Sequence, residues 1–129
     1  MNKEVKELRD KQFNLARKLL GLEDESKYRL MIDFAEELGS DIYDAESAIL
    51  ELAQERFPDD LPKRYYEYKK RVDKHEVERC QAWYMVDGYV EVEYQRIIGC
   101  SVVEYNYSAK KESDFIEMMN ELGFEKQEE

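Results

Sequence analysis

The stretch Ala82-Trp83-Tyr84-Met85-Val86-Asp87-Gly88-Tyr89-Val90-Glu91-Val92-Glu93-Tyr94 decides the fold class. Asp-Gly between two runs of β-favouring residues is the strongest short-range hairpin signal, because both central residues of a type I′ turn need positive φ. A two-residue turn at Asp87-Gly88 sets Val86 opposite Tyr89. That register gathers Gln81, Trp83, Met85, Val90, Val92 and Tyr94 on one apolar face. A second tight turn at Ile98-Gly99 adds Val103, Tyr105 and Tyr107 to this face. Glu91, Glu93, Gln95, Glu104 and Asn106 then fall on the other. The expectation is a three-stranded antiparallel β-meander over 79–108.

Upstream of the hairpin the apolar period is helical. Val5, Leu8, Phe13, Leu15, Ala16, Leu19 and Leu20 predict a helix over 3–20 that stops at Gly21. Tyr28, Met31, Ile32, Ala35 and Leu38, widened by Leu30 and Phe34, predict a second over 26–38, stopped by Gly39. Ser40 is placed to cap a third, with Asp41 and Asp44 in its first turn and Ile42, Ala45, Ile49, Leu52, Ala53 and Phe57 inward. Pro58-Asp59-Asp60-Leu61-Pro62 is the clearest connector. After it Leu61, Tyr65, Tyr68, Val72 and His75 step by four, three, four and three, which predicts a fourth helix over 62–75. Downstream of the meander, Phe115, Met118, Met119 and Leu122 predict a closing helix within 110–123, with Gly123 as its stop and Phe124 folding back on Met119. The tail 125–129 is expected to fray. The chain therefore reads as α+β and as a single domain over 1–129: an N-terminal helical bundle of about four helices in 1–77, the meander, and a C-terminal helix.

Length and composition agree with a folded domain. The chain has 129 residues, enough to bury roughly two thirds of its unfolded surface in one core. It carries 31 Asp+Glu against 20 Lys+Arg, a net charge of −11, and 12% aromatics, which a disordered polyelectrolyte lacks. The longest apolar run, Ala82 to Val86, is far short of the roughly 20 residues a bilayer requires. The N-terminus alternates charges where an export signal would be apolar, so a cytoplasmic location is expected. Cys80 and Cys100 are expected to be reduced rather than bridged.

The residues argue against most catalytic chemistries. All five glycines have turn or cap roles, leaving none for a phosphate-binding loop. One His and two Cys are too few for a zinc finger. His75 falls on the apolar stripe of the fourth helix, and no third group orients a Cys80–His75 pair. Pro58-Asp59 followed by Glu67-Tyr68-Lys69 resembles the acidic elements of metal-dependent nucleases. On a helix, however, Glu67 and Lys69 point about 200° apart and cannot converge on a metal. Phe34-Ala35-Glu36-Glu37-Leu38-Gly39 has the spacing of a helix-turn-helix turn, yet the helix after it is acidic and DNA would repel it. No cofactor or metal is expected, and no catalytic residue.

Charge is unevenly distributed. Residues 23–62 hold thirteen acids and three bases, whereas 63–79 hold seven bases and four acids. On the third helix Asp41, Asp44, Glu51 and Glu55 form an acidic stripe, with neighbouring carboxylates about 5 to 6 Å apart along the axis. Such a row imitates the backbone charge of a nucleic acid and suits the basic groove of a nucleic-acid-binding protein. On the fourth helix Lys63, Tyr66, Lys70 and Lys74 share a side that could hold single-stranded nucleic acid. In size and charge the chain is similar to small acidic inhibitors of phage and mobile-element origin, such as anti-restriction and anti-CRISPR proteins. The likeness is one of composition and carries no motif. The expected function is a non-catalytic cytosolic binding protein, an inhibitor docking its acidic face onto a basic partner protein. The alternatives are a small regulator that binds nucleic acid through 62–75 and a nuclease using Asp59, Glu67 and Lys69. Direct nucleic-acid binding is not expected at a net charge of −11. A homodimer through the first helix remains open.

Overall fold

The computed structural model describes residues 2–37 and 42–127. The fold is α+β, with helices α1 (Lys3–Leu19), α2 (Glu25–Glu37), α3 (Ile42–Arg56) and α4 (Glu112–Glu121). Five strands, β1 (Tyr65–Arg71), β2 (Glu76–Tyr84), β3 (Tyr89–Ile98), β4 (Ser101–Lys111) and β5 (Glu125–Lys126), form one antiparallel sheet in the order β4-β3-β2-β1-β5. The chain divides into two compact units, one containing residues 9–63 and the other 2–8 with 64–127.

In the unit 9–63, Ala16 of α1, Ile49 and Ala53 of α3, and Leu61 are buried together, with Phe13, Tyr28 and Met31 packed against them. Arg17 ties α1 to α2: its guanidinium stacks on the Tyr28 ring at 3.9 Å and pairs with Glu25 at 3.1 Å, while its Nε donates to the Leu22 carbonyl. Asp24 caps α2 by accepting the Ser26 N–H at 2.8 Å. Two expected core positions face outward: Leu30 is 70% exposed and Leu52 38%. The Gly39 stop and the Ser40 cap lie outside the described residues.

In the other unit, the expected fourth helix over 62–75 is instead strand β1, and the meander has four long strands rather than three. Tyr66, Tyr68 and Lys70 alternate with Tyr65, Glu67, Lys69 and Arg71, so one sequence satisfies both a period of 3.6 and a period of two. The strand wins because Tyr68 is buried against Phe115 of α4 (5.6 Å, edge to face), and because β2 and β5 pair with β1 on its two sides. His75, expected on an apolar stripe, sits exposed in the β1–β2 turn. Its N–H and that of Glu76 both donate to Asp73 Oδ1.

The Asp87-Gly88 turn forms as expected, with φ of 56° and 78°. The register before it does not. The Met85 N–H donates to the Tyr89 carbonyl at 2.9 Å, and the Tyr89 N–H donates to the Val86 carbonyl at 3.0 Å. Met85 and Val86 thus oppose one residue, which is a β-bulge, and every β2 side chain moves to the other face. Cys80, Ala82 and Tyr84, not Gln81 and Trp83, join Val90, Val92 and Tyr94 in the core with Phe115, Met119 and Phe124. The second turn forms at Gly99-Cys100, one residue later than expected, and closes Ile98 on Ser101; a further irregularity at Arg96/Ile97 pairs Tyr94 with Asn106. Tyr105 and Tyr107 therefore lie on the face opposite α4, their rings stacked at 6.4 Å and 7°.

Beyond the core, the α4 face carries a row of alternating charge across four strands: Lys70, Glu78, Arg96 and Glu104 are successive cross-strand partners. Arg96 Nε lies 3.1 Å from Glu104 Oε2, an ion pair without hydrogen-bond geometry, and Nη1 reaches Glu76 at 3.4 Å. Helix α4 runs over 112–121 and ends as expected: Gly123 takes φ 77°, and the Phe124 N–H donates to the Met119 carbonyl at 2.9 Å. Phe124 thereby enters the core. Part of the tail expected to fray is strand β5, and the Gln127 N–H donates to the Glu67 carbonyl at 2.7 Å.

Candidate functional site

The acidic stripe predicted on the third helix falls on α3. Glu51 and Glu55, one turn apart, are both exposed, and among the described residues no ion pair engages either of them. Asp41 and the Asp44 side chain lie outside the described residues. Asp33, Glu36 and Glu37 of α2 and Asp59 and Asp60 after α3 are exposed as well. Within this unit Glu46 accepts the Tyr28 hydroxyl at 3.3 Å, and Glu25 is held by Arg17. Three arginines of the sheet unit pair with carboxylates of their own unit: Arg64 with Glu112, Arg79 with Glu67, and Arg96 with Glu76 and Glu104. Those three cations are therefore committed to neighbours in their own unit.

The alternative basic face does not assemble as predicted. Lys63 precedes β1 and Lys74 lies in the β1–β2 turn, so the common helical side no longer exists. Tyr66 is no stacking platform: its hydroxyl donates to Glu112 Oε2 at 2.9 Å, its ring packs 6.3 Å from that of Phe115, and Lys126 covers it at 5.5 Å. Lys70 leans on the Phe124 ring at 5.9 Å.

The strand brings together other residues instead. On the face opposite α4, Lys69, Arg71 and Arg79 rim a depression of about 660 Å³ that has Val77 and Ile97 in its lining. A helix would turn Lys69 and Arg71 about 200° apart, whereas a strand sets them side by side. The alternation Glu67-Tyr68-Lys69-Lys70-Arg71, led by β-favouring tyrosines, was the available signal.

The nuclease pattern is rearranged in the same way. Glu67 and Lys69 now share a face, contrary to the helical expectation, but Glu67 Oε1 accepts a hydrogen bond from Arg79 Nε at 2.8 Å. Among the described residues no three His, Cys, Asp or Glu gather as they would to hold a metal ion. Both cysteines are free. Cys80 is buried, and burial, with the Glu78 charge adding to it, pushes its thiol up to about 11, away from nucleophilic chemistry. Cys100 lies exposed in the β3–β4 turn. Among the described residues no helix is long and apolar enough to cross a membrane. Compared with protein-family models, with curated proteins and with solved structures, the chain matches none.

Proposed function

We propose that this chain is a non-catalytic cytoplasmic binding protein that seats its acidic helical unit on the basic, nucleic-acid-binding site of a partner protein and so inhibits it, in the manner of anti-defence inhibitors. The observation that carries this reading is the exposure of Glu51 and Glu55 on α3 without an ion pair among the described residues, while Arg64, Arg79 and Arg96 are engaged elsewhere. Carboxylates left without cations keep their full long-range field. They steer a basic groove toward α3 and compete there with phosphates, which present the same charge at similar spacing. Pairing across the interface rests on charge more than on shape, so binding weakens with salt.

The test is capture of basic nucleic-acid-binding proteins from host lysate on the immobilised chain, followed by competition with duplex DNA. The captured partner should be displaced by DNA and should lose its own DNA binding when the chain is added. Reversing Asp44, Glu51 and Glu55 to Lys should slow association at low salt by at least about tenfold. Capture that survives the triple reversal unchanged would eliminate the reading.

A further inference from the structure

The sheet unit carries a second charged feature, of opposite sign, that the acidic-face reading does not use. Cross-strand pairing runs Lys69 to Arg79, Arg79 to Gln95 and Gln95 to Tyr105, so these four side chains form one row on the face opposite α4. The next row holds Arg71, Val77, Ile97 and Val102. Lys69, Arg71 and Arg79 rim the 660 Å³ depression together with Glu125, Val77 and Ile97 contribute its apolar lining, and Tyr105, 55% exposed, stands outside it, two strands beyond Arg79 and about 10 Å along the row. Arg79 is held by Glu67 at 2.8 Å, and Glu125 of β5 is the cross-strand partner of Lys69, although among the described residues no ion pair engages Lys69. Arg71 donates to the Asp73 and Lys74 carbonyls, and among the described residues no carboxylate forms an ion pair with it.

We propose that this depression binds single-stranded nucleic acid, with Lys69 and Arg71, two residues apart on one face of β1, on successive phosphates and an unpaired base on the Tyr105 ring beyond its rim. The volume suits a nucleotide-sized ligand, and the apolar lining is wasted on a bare inorganic anion. A duplex presents phosphates but keeps its base faces stacked inside, whereas a single strand offers both groups at once. The net charge of −11 opposes a polyanion only at long range. At 0.1 M salt fields are screened within about 10 Å, and the local cations then govern contact. The proposal is independent of the acidic face, whose carboxylates lie in the other unit.

The experiment is fluorescence anisotropy of the full chain with labelled oligo(dT) of twelve nucleotides, its duplex with oligo(dA), and tripolyphosphate as competitor. The single strand should bind in preference to the duplex and weaken about sevenfold between 50 and 200 mM salt, as expected for two phosphate contacts at a slope near 0.7 each. Lys69→Glu with Arg71→Glu, both at exposed positions, should abolish binding. Tyr105→Ala should weaken it about tenfold at an unchanged salt slope, which is the signature of stacking. No binding at 50 mM salt, equal affinity for the duplex, displacement by tripolyphosphate at matched phosphate concentration, or indifference to Tyr105→Ala would each overturn the proposal.

Discussion

Tyr94 joins the core of the sheet unit to its charged margin. Its ring packs against the buried cluster, and its hydroxyl donates to Glu78 Oε1 at 3.2 Å. Burial first, then the Glu78 charge and that hydrogen bond, push its ionisation up to about 12 from the usual 10. Folding thus favours the protonated phenol. The unfolded chain begins to release that proton near pH 10 while the folded chain holds it until about 12, so this contribution to stability is complete below pH 10 and is lost as pH climbs from 10 to 12. Urea unfolding at pH 8, 10 and 11 should show the native chain losing stability faster than Tyr94→Phe, which has no proton to release. Absorbance at 295 nm should show one late phenol missing from the variant's titration. Parallel stability curves for the two proteins would refute the assignment.

At the level of elements, the alternating row Lys70, Glu78, Arg96 and Glu104 explains how a sheet with charges on its core-facing side holds its register, since every neighbour in the row has opposite sign. Arg96→Glu should therefore cost about 1 kcal/mol or more in denaturant unfolding by setting like charges side by side, and adding Glu104→Arg should recover about 0.5 kcal/mol of it. Additivity of the two changes would show that the row contributes nothing. The same elements show what the sequence reveals and what it hides. Helices α1 to α4 are legible in their apolar spacing, and the Asp87-Gly88 turn in its residue types, whereas the second turn falls one residue later than Ile98-Gly99. Strand β1 is hidden because Leu61, Tyr65, Tyr68 and Val72 fit helical spacing by coincidence, while the deciding contact, Tyr68 on Phe115, lies nearly fifty residues away along the chain. The β2 register is hidden by a bulge that no residue type announces, since Met85 and Val86 suit a regular strand equally well. Of the acidic stripe, Glu51 and Glu55 follow from α3 alone, while Asp41 and the Asp44 side chain lie outside the described residues. The cationic depression is not legible, because it follows from the two features that sequence conceals.

Across the whole molecule, charge and edge strand act against each other. Strand β4 is the long edge strand of the sheet, β5 being the short one at the other side, and carries apolar side chains at its exposed end: Val102 is 51% exposed, Val103 48%, and Ile98 beside it 40%. An apolar edge of this kind invites a strand from another copy. Two features resist that pairing: the irregularity opposite Ile97, which bends the edge, and the net charge of −11, which makes copies repel. Repulsion between like-charged copies is screened by salt, whereas strand pairing through backbone hydrogen bonds is not. Self-association measured by light scattering or sedimentation should therefore rise as salt increases at neutral pH, and rise again on acidification, as carboxylates are neutralised. Val103→Lys, a charge placed on the edge itself, should suppress both rises, while Leu30→Lys, on the exposed flank of α2, should leave them unchanged. A homodimer formed through helix α1, the alternative raised by its sequence, predicts the opposite pattern, with no response to Val103→Lys. Because the two predictions diverge at one side chain, a single sedimentation series with the two variants decides between edge pairing and helix pairing.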